Sequence, residues 1–248
     1  MDEFNIYYHI SLRGNYDEIT PSPENVQYFI DHFLNKGFIP SVFAEYKLEF
    51  GDNPLLIPKT SPMLRLKLTK GDNSWNINLL TSKIDFILAN NDISTFKMPD
   101  FNFFIAECKD FIKIISDRFP NRHQQIGVIR NYLLSGQDLR IQRKFVNNPP
   151  VFDKIPLQQW MYKTVTKKRM SNEVDLNLIS DIQKITTPIT NNSQKTDFEG
   201  IQCSFEVNTI NDNVFRFDSL NVCNSIDNLV NVLSNTINET FKYLKSDE

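Results

Sequence analysis

Apolar and polar residues alternate along this chain with two different periods, and the switches between them mark out its elements. Val26, Phe29, Ile30, Phe33 and Leu34 recur every three to four residues, the spacing of one helix face. Ser22, Pro23 and Glu24 stand just before this stripe. They offer a capping hydroxyl, a first-turn proline and an acid at the positive end of the helix dipole, and Gly37 supplies the stop. A second stripe, Phe104, Cys108, Phe111, Ile115 and Phe119, predicts a helix over about 102–118, closed by Pro120. A third, from Ile226 through Leu233 and Ile237 to Leu244, predicts a long final helix from about Ser225 to Leu244.

Between the helices the period falls to two. Glu3–Leu12 and Val42–Phe50 read as strands, and Met63–Thr69 puts Leu64, Leu66 and Leu68 on one face and Arg65 and Lys67 on the other. The turn Lys70–Asn73 leads into Trp75–Leu79, so the pair reads as a hairpin, and Ile84, Phe86 and Leu88 alternate in a further strand. After Pro120 the pattern restarts. Gln125–Leu134, Leu139–Val146, Trp160–Thr166, Val174–Ile179, Ile201–Val207 and Val214–Phe217 read as strands, Asn147–Pro150 as a plain loop and Thr186–Phe198 as a mobile one. In/out alternation of this kind marks antiparallel sheets with one buried face, and the striped helices are the available covers. The expected class is α+β in two halves, residues 1–120 and 121–248, each an antiparallel sheet covered by an amphipathic helix.

The 248 residues suffice for a core without a metal or disulfide staple. No apolar run approaches a membrane span, and the first residues lack the basic and apolar regions of a leader, so no membrane partner is expected. Cys108, Cys203 and Cys223 are odd in number and widely spaced, which fits a reducing cytoplasm. Glycine is scarce, at seven residues, while asparagine is abundant, at 28. Asparagine tolerates the left-handed turn positions that glycine usually fills.

Candidate chemistry is thin. Ile105-Ala106-Glu107-Cys108-Lys109, taken with Asp85, resembles the Asp…Glu-x-Lys signature of the PD-(D/E)xK nucleases. That resemblance implies a divalent metal held by Asp85 and Glu107, with Lys109 orienting the attacking water. The period near 3.6 around it points instead to a helix, on which Glu107 and Lys109 diverge, so a solvated helix face is preferred and the nuclease kept as the alternative. His9, His32 and His123 are scattered without metal-ligand spacing, and neither a glycine-rich phosphate loop nor a nucleophile elbow occurs. No cofactor and no metal are expected.

Charge is more informative. Residues 118–169 hold eleven Lys and Arg against two acids, a local balance of +9, while the remaining sixteen basic and twenty-eight acidic residues give −12. Tyr132, Phe145, Phe152, Trp160 and Tyr162 are interleaved with the positive charges. Basic strands with such aromatics can hold phosphates and stack bases. Arg140, Arg143, Lys144, Lys163, Lys167, Lys168 and Arg169 form the candidate anion-binding set, on two adjacent strands sharing one solvent face. The expected function is a non-enzymatic binding protein for an anionic partner, a nucleic acid or an acidic protein. A protein-binding subunit that assembles with copies of itself is the other alternative.

The whole-chain pattern also resembles a family of about this length found sporadically in bacteria, without assigned function. The resemblance rests on the Thr20–Pro23 helix start, Gly37-Phe38-Ile39-Pro40, Pro62–Leu66 before Trp75–Leu79, Ile126–Tyr132 and the amphipathic final helix. It implies a defence or toxin–antitoxin setting and brings no catalytic residues with it.

Overall fold

The N-terminal cap forms as its residues predict. In the structure, a computed structural model, the Ser22 hydroxyl accepts the Asn25 N–H and α1 runs Pro23–Phe33 with Pro23 in its first turn. A single 3-10 turn, Leu34–Lys36, follows and ends at Gly37, whose φ of 84° lies in the left-handed region that favours glycine. The structure describes residues 3–49, 59–90, 92–93, 97–120, 123–135, 139–145, 159–169, 174–191, 194–210 and 216–246.

The strands are β1 (Glu3–Gly14), β2 (Phe38–Glu49), β3 (Lys59–Lys70), β4 (Trp75–Leu79), β5 (Lys83–Ala89), β6 (His123–Ser135), β7 (Met161–Arg169), β8 (Asp175–Asn191) and β9 (Gln194–Thr209). The remaining helices are α2 (Phe101–Arg118), α3 (Leu139–Phe145) and α4 (Ser219–Lys245). All nine strands join one sheet in the order β2-β3-β4-β5-β1-β6-β9-β8-β7, and every neighbouring pair is antiparallel.

This single sheet corrects the expected division into two sheet-and-helix halves. β1 pairs with β6 from Glu3↔Leu134 to Gly14↔His123, so the ladder runs straight through the presumed boundary at residue 120. Above it the helices share one core. Phe86 of β5 stacks on Phe111 of α2, Tyr132 of β6 and Phe205 of β9 meet Phe241 of α4, and Lys109 of α2 pairs with Asp227 of α4. One apolar cluster holds Ile10, Ile77, Phe86, Val128 and Val207 together with Phe29, Phe104, Ile141 and Leu229 of the four helices. Alternation in a sequence cannot say whether two groups of strands share an edge, because backbone hydrogen bonds and not side chains close the gap.

Three further readings change. Leu139–Phe145 is a helix and not a strand, with Ile141 buried and Phe145 against Trp160 and Tyr243. Thr186–Phe198 is not a loop. Apart from residues 192–193 its backbone extends β8 and β9, paired from Thr187↔Phe198 to Asn191↔Gln194. The final helix starts six residues before the expected Ser225, at Ser219, where Asp218 caps it by accepting the Asn221 N–H at 2.8 Å. Asn147–Pro150 and the first two residues of Val214–Phe217 lie outside the described residues, and Phe217 forms an isolated bridge with His123.

Arg65 departs from its alternation. It lies on the face of β3 opposite Leu66 and Leu68 yet is fully buried. Its guanidinium donates to the carbonyls of Leu79, Tyr16 and Asp17 at 3.2, 2.6 and 3.3 Å, pinning the segment after β1 to the sheet. Among the described residues no helix is long and apolar enough to cross a membrane.

Candidate functional site

The helices occupy one face of the sheet; the other carries a mixture of polar side chains and isoleucines, among them Ile87, Ile129 and Ile179. A single register row crosses that second face through all nine strands: Ser41, Lys67, Asn78, Asp85, Ser11, Gly127, Asn208, Asn177 and Lys167. None of these nine has an apolar side chain, although on the strands between the two edges the chain neighbours on the opposite face, such as Leu66, Ile77, Phe86, Ile10, Val128, Val207 and Leu176, are buried in the core. In the next row towards one end lie His9, Ile129 and Glu206; towards the other lie Lys83, Arg13 and Gln125. A cavity of about 500 Å³ opens at the centre, with Gly127 in its lining between Ser11 on β1 and Asn208 on β9.

Asp85 organises one side of this cavity. Its Oδ1 accepts the Ser11 hydroxyl at 2.7 Å and lies 3.0 Å from His9 Nε2, and its Oδ2 lies 2.6 Å from Lys83 Nζ. Burial by itself raises the Asp85 pKa. The hydrogen bonds from His9 and Lys83, the charge of His9 and the Ser11 hydroxyl outweigh it and bring the value down to about 2. Asp85 is therefore a fixed anion at neutral pH, and it holds three residues that line the cavity. Arg13 lines it too, directly opposite Lys83 on the adjacent strand.

The other side is built from amides. Asn208 Oδ1 accepts from Asn177 at 3.0 Å and from Gln125 at 3.3 Å, while its own amide donates to Glu206 Oε1 at 2.5 Å. Gln125 spends a further N–H on the Thr209 carbonyl at 2.7 Å. This chain of bonds fixes the orientation of each amide, so the polar surface is set before any ligand arrives.

The proposed nuclease set is not assembled. Asp85 faces the helix-free side, whereas Glu107 and Lys109 stand on α2, on the far side of the sheet, where Glu107 lies 3.9 Å from Lys36 and Lys109 pairs with Asp227. Asp85 therefore cannot share a metal with Glu107. Among the described residues no three His, Cys, Asp or Glu side chains converge on a metal position. Burial raises the thiols of all three cysteines, that of Cys203 to about 12, which disfavours the thiolate a nucleophile needs.

The seven basic residues are likewise not one surface, because the second strand they require is the helix α3. Lys144 caps the end of α4, donating to the carbonyls of Tyr243 and Ser246 at 2.6 and 2.5 Å. Arg143 is exposed on α3, and the side chain of Arg140 lies outside the described residues. Two other members of the basic stretch serve the fold: Arg118 bonds Asn25 at 3.0 Å, and Arg130 bonds Asn5 at 3.0 Å while lying over the Phe101 ring. Lys163, Lys167 and Arg169 do share a face, by alternation along the edge strand β7, and Lys168 takes the other. Their face is the polar one.

Sequence reasoning missed Ser11, Arg13, Lys83, Gln125, Asn177, Glu206 and Asn208, which appear there only as the polar halves of alternating strands. The one signal was an isolated glycine inside an apolar strand, Ile126-Gly127-Val128, which often marks a close approach.

No family model matches the chain, and neither the curated proteins nor the solved structures include one similar to it. The site therefore stands on its own geometry.

Proposed function

We propose that this chain is a non-catalytic binding protein that receives a small anionic molecule in the cavity on the helix-free face of its sheet. The observation that carries the reading is the pairing of Arg13 with Lys83. Like charges directly opposite on adjacent strands are destabilising, and both line the cavity. Asp85 offsets Lys83 at 2.6 Å, but among the described residues no carboxylate lies within ion-pair distance of Arg13. A guanidinium left uncompensated at the mouth of a preformed polar cavity suits a carboxylate or phosphate, which it can take with two N–H donors. Cavities of this size match small ligands.

Catalysis is disfavoured by where Ser11 and His9 point. An activated serine must donate to the imidazole, which in turn is held by the acid. Here the hydroxyl and the imidazole both address Oδ1 of Asp85, so the histidine is not placed to take the serine's proton. NMR titration with sodium hexanoate and with inorganic phosphate tests the reading. Shifts centred on Ser11, Gly127 and Asn208, weakened about tenfold in Arg13→Ala, a loss of roughly 1.4 kcal/mol, are expected. Absence of shifts with both anions, or equal binding by the variant, would overturn it.

A second reading is favoured by the edge strand. Lys163, Lys167 and Arg169 extend the polar face at β7, an arrangement suited to the phosphates of a nucleic acid strand. Fluorescence anisotropy with single-stranded DNA and RNA at two salt concentrations separates the two. Salt-sensitive binding lost in Lys163→Ala/Lys167→Ala/Arg169→Ala but kept in Arg13→Ala supports the edge; no salt-sensitive binding removes it.

A further inference from the structure

The cavity carries opposite charges at its two ends, and this names the class of ligand more narrowly; the inference rests on the binding reading above. At one end is Arg13, without a carboxylate partner. At the other is Glu206, which lines the same cavity on β9. Its Oε1 accepts the Asn208 amide at 2.5 Å, yet among the described residues no lysine, arginine or histidine lies within ion-pair distance of it. Gly127 and Ile129 line the space on β6 between the two.

The hydrogen-bond inventory sharpens the contrast. Asn177 spends an amide N–H on Asn208. Its carbonyl oxygen and the second Glu206 oxygen have no donor among the described residues. The Glu206 side of the cavity therefore presents acceptors around a negative charge, whereas Arg13 and Lys83 present donors around a positive one. A simple anion would satisfy the first end and leave Glu206 facing apolar or water-filled space. A molecule with an ammonium group at its far end satisfies both.

We infer that the ligand is a zwitterion, with a carboxylate or phosphate on Arg13 and a primary ammonium on Glu206 and Asn177. By strand spacing and rise the two charged residues stand roughly 16 Å apart at their Cα atoms. Both residues line the one cavity, so an extended aliphatic amino acid, with a charge-assisted hydrogen bond at each end, is the ligand shape that matches them. The small residue at 127 leaves the path between the two charges clear.

The test compares 6-aminohexanoate with hexanoate and hexylammonium, by NMR titration of the whole chain. 6-Aminohexanoate is expected to bind at least about tenfold more tightly than either single-charge analogue, since a charge-assisted contact added at the far end is worth roughly that factor. In Glu206→Gln the advantage over hexanoate should fall to about twofold or less, with hexanoate itself bound no more weakly. Arg13→Ala should weaken both. If hexanoate and 6-aminohexanoate bind equally, or the advantage survives Glu206→Gln, the zwitterion is wrong while the anion reading stands. Hexylammonium binding as tightly as 6-aminohexanoate would also overturn it. If neither hexanoate nor 6-aminohexanoate binds, the anion reading itself falls.

Discussion

Nε2 of His9 stands 3.0 Å from Oδ1 of Asp85, joining β1 to β5 across the floor of the polar face. The same oxygen takes the Ser11 hydroxyl and the other takes Lys83, so one carboxylate closes three contacts from two strands. Only 5% of its side chain remains exposed. Replacing it with alanine strands an imidazole, a hydroxyl and an ammonium around a small void. Breaking such a buried network costs about 3 kcal/mol, and a urea unfolding curve of Asp85→Ala is expected to show it as a shifted midpoint with unchanged slope. A change under about 1 kcal/mol would mean that water replaces the carboxylate freely and that the cluster does not organise the site.

Gly127 is expected to behave in the opposite way. A Cβ built there meets only the Asn208 Cβ, at 3.5 Å, an ordinary contact, and its backbone is not in the left-handed region. Gly127→Leu therefore fits the strand and leaves stability within about 1 kcal/mol of the parent, because glycine in a strand interior is itself unfavourable. The new side chain fills the space between Ser11 and Asn208. Ligand-induced NMR shifts at the cavity should vanish while the rest of the spectrum is retained. Full binding by this folded variant would place the ligand elsewhere.

These two residues show what the sequence could and could not disclose. Elements set by local chemistry were legible: Ser22 and Pro23 start α1 where they predict it, and Trp75–Leu79 is β4 to the residue. The β8–β9 arm was hidden, because Thr, Asn and Pro188 read as a loop while the pairing that straightens them is made by the backbone. Asp85 was singled out, but for partners on the wrong side of the sheet. Its real partners, Ser11 and Lys83, come from register alone, and a slip of one residue would turn them to the other face. Arg65 reads as exposed by alternation, and its burial is explained by partners far from it in the chain, the carbonyls of Tyr16 and Asp17 nearly fifty positions earlier, together with the Leu79 carbonyl and the Glu45 carboxylate.

Stability should fall with acid in two windows. His123 is buried and its Nδ1 accepts the Tyr16 hydroxyl at 2.5 Å. Burial pulls its pKa down to about 4, against a smaller opposing effect of Asp218. The unfolded chain protonates this imidazole near pH 6.5, so the folded state loses about 3 kcal/mol as pH falls from there to about 4. The Asp85 carboxylate, brought to about 2, adds a second loss of about 2 kcal/mol as pH falls from its unfolded value near 3.8. Urea unfolding at pH 7, 5.5 and 4.5 measures the first window. His123→Gln should start lower in stability at pH 7 and lose less of it down to pH 4.5. An identical pH slope in parent and variant would rule out His123 as the source.

Gly200 tests the continuity of the sheet at β9, where it sits between Ser135 of β6 and Ile185 of β8. A Cβ there would lie 2.4 Å from the Leu134 carbonyl oxygen and 2.5 Å from Cε1 of Phe198. The two obstacles differ in kind. Phe198 can turn aside, but the carbonyl belongs to the β6 backbone and moves only if the β6–β9 ladder moves with it. Gly200→Ala is therefore expected to cost about 2 kcal/mol, in the range of an overpacked core. Trimming the ring in Gly200→Ala/Phe198→Ala should not restore the loss. Recovery to the stability of Phe198→Ala alone would show that the side chain, and not the ladder, sets the requirement for glycine.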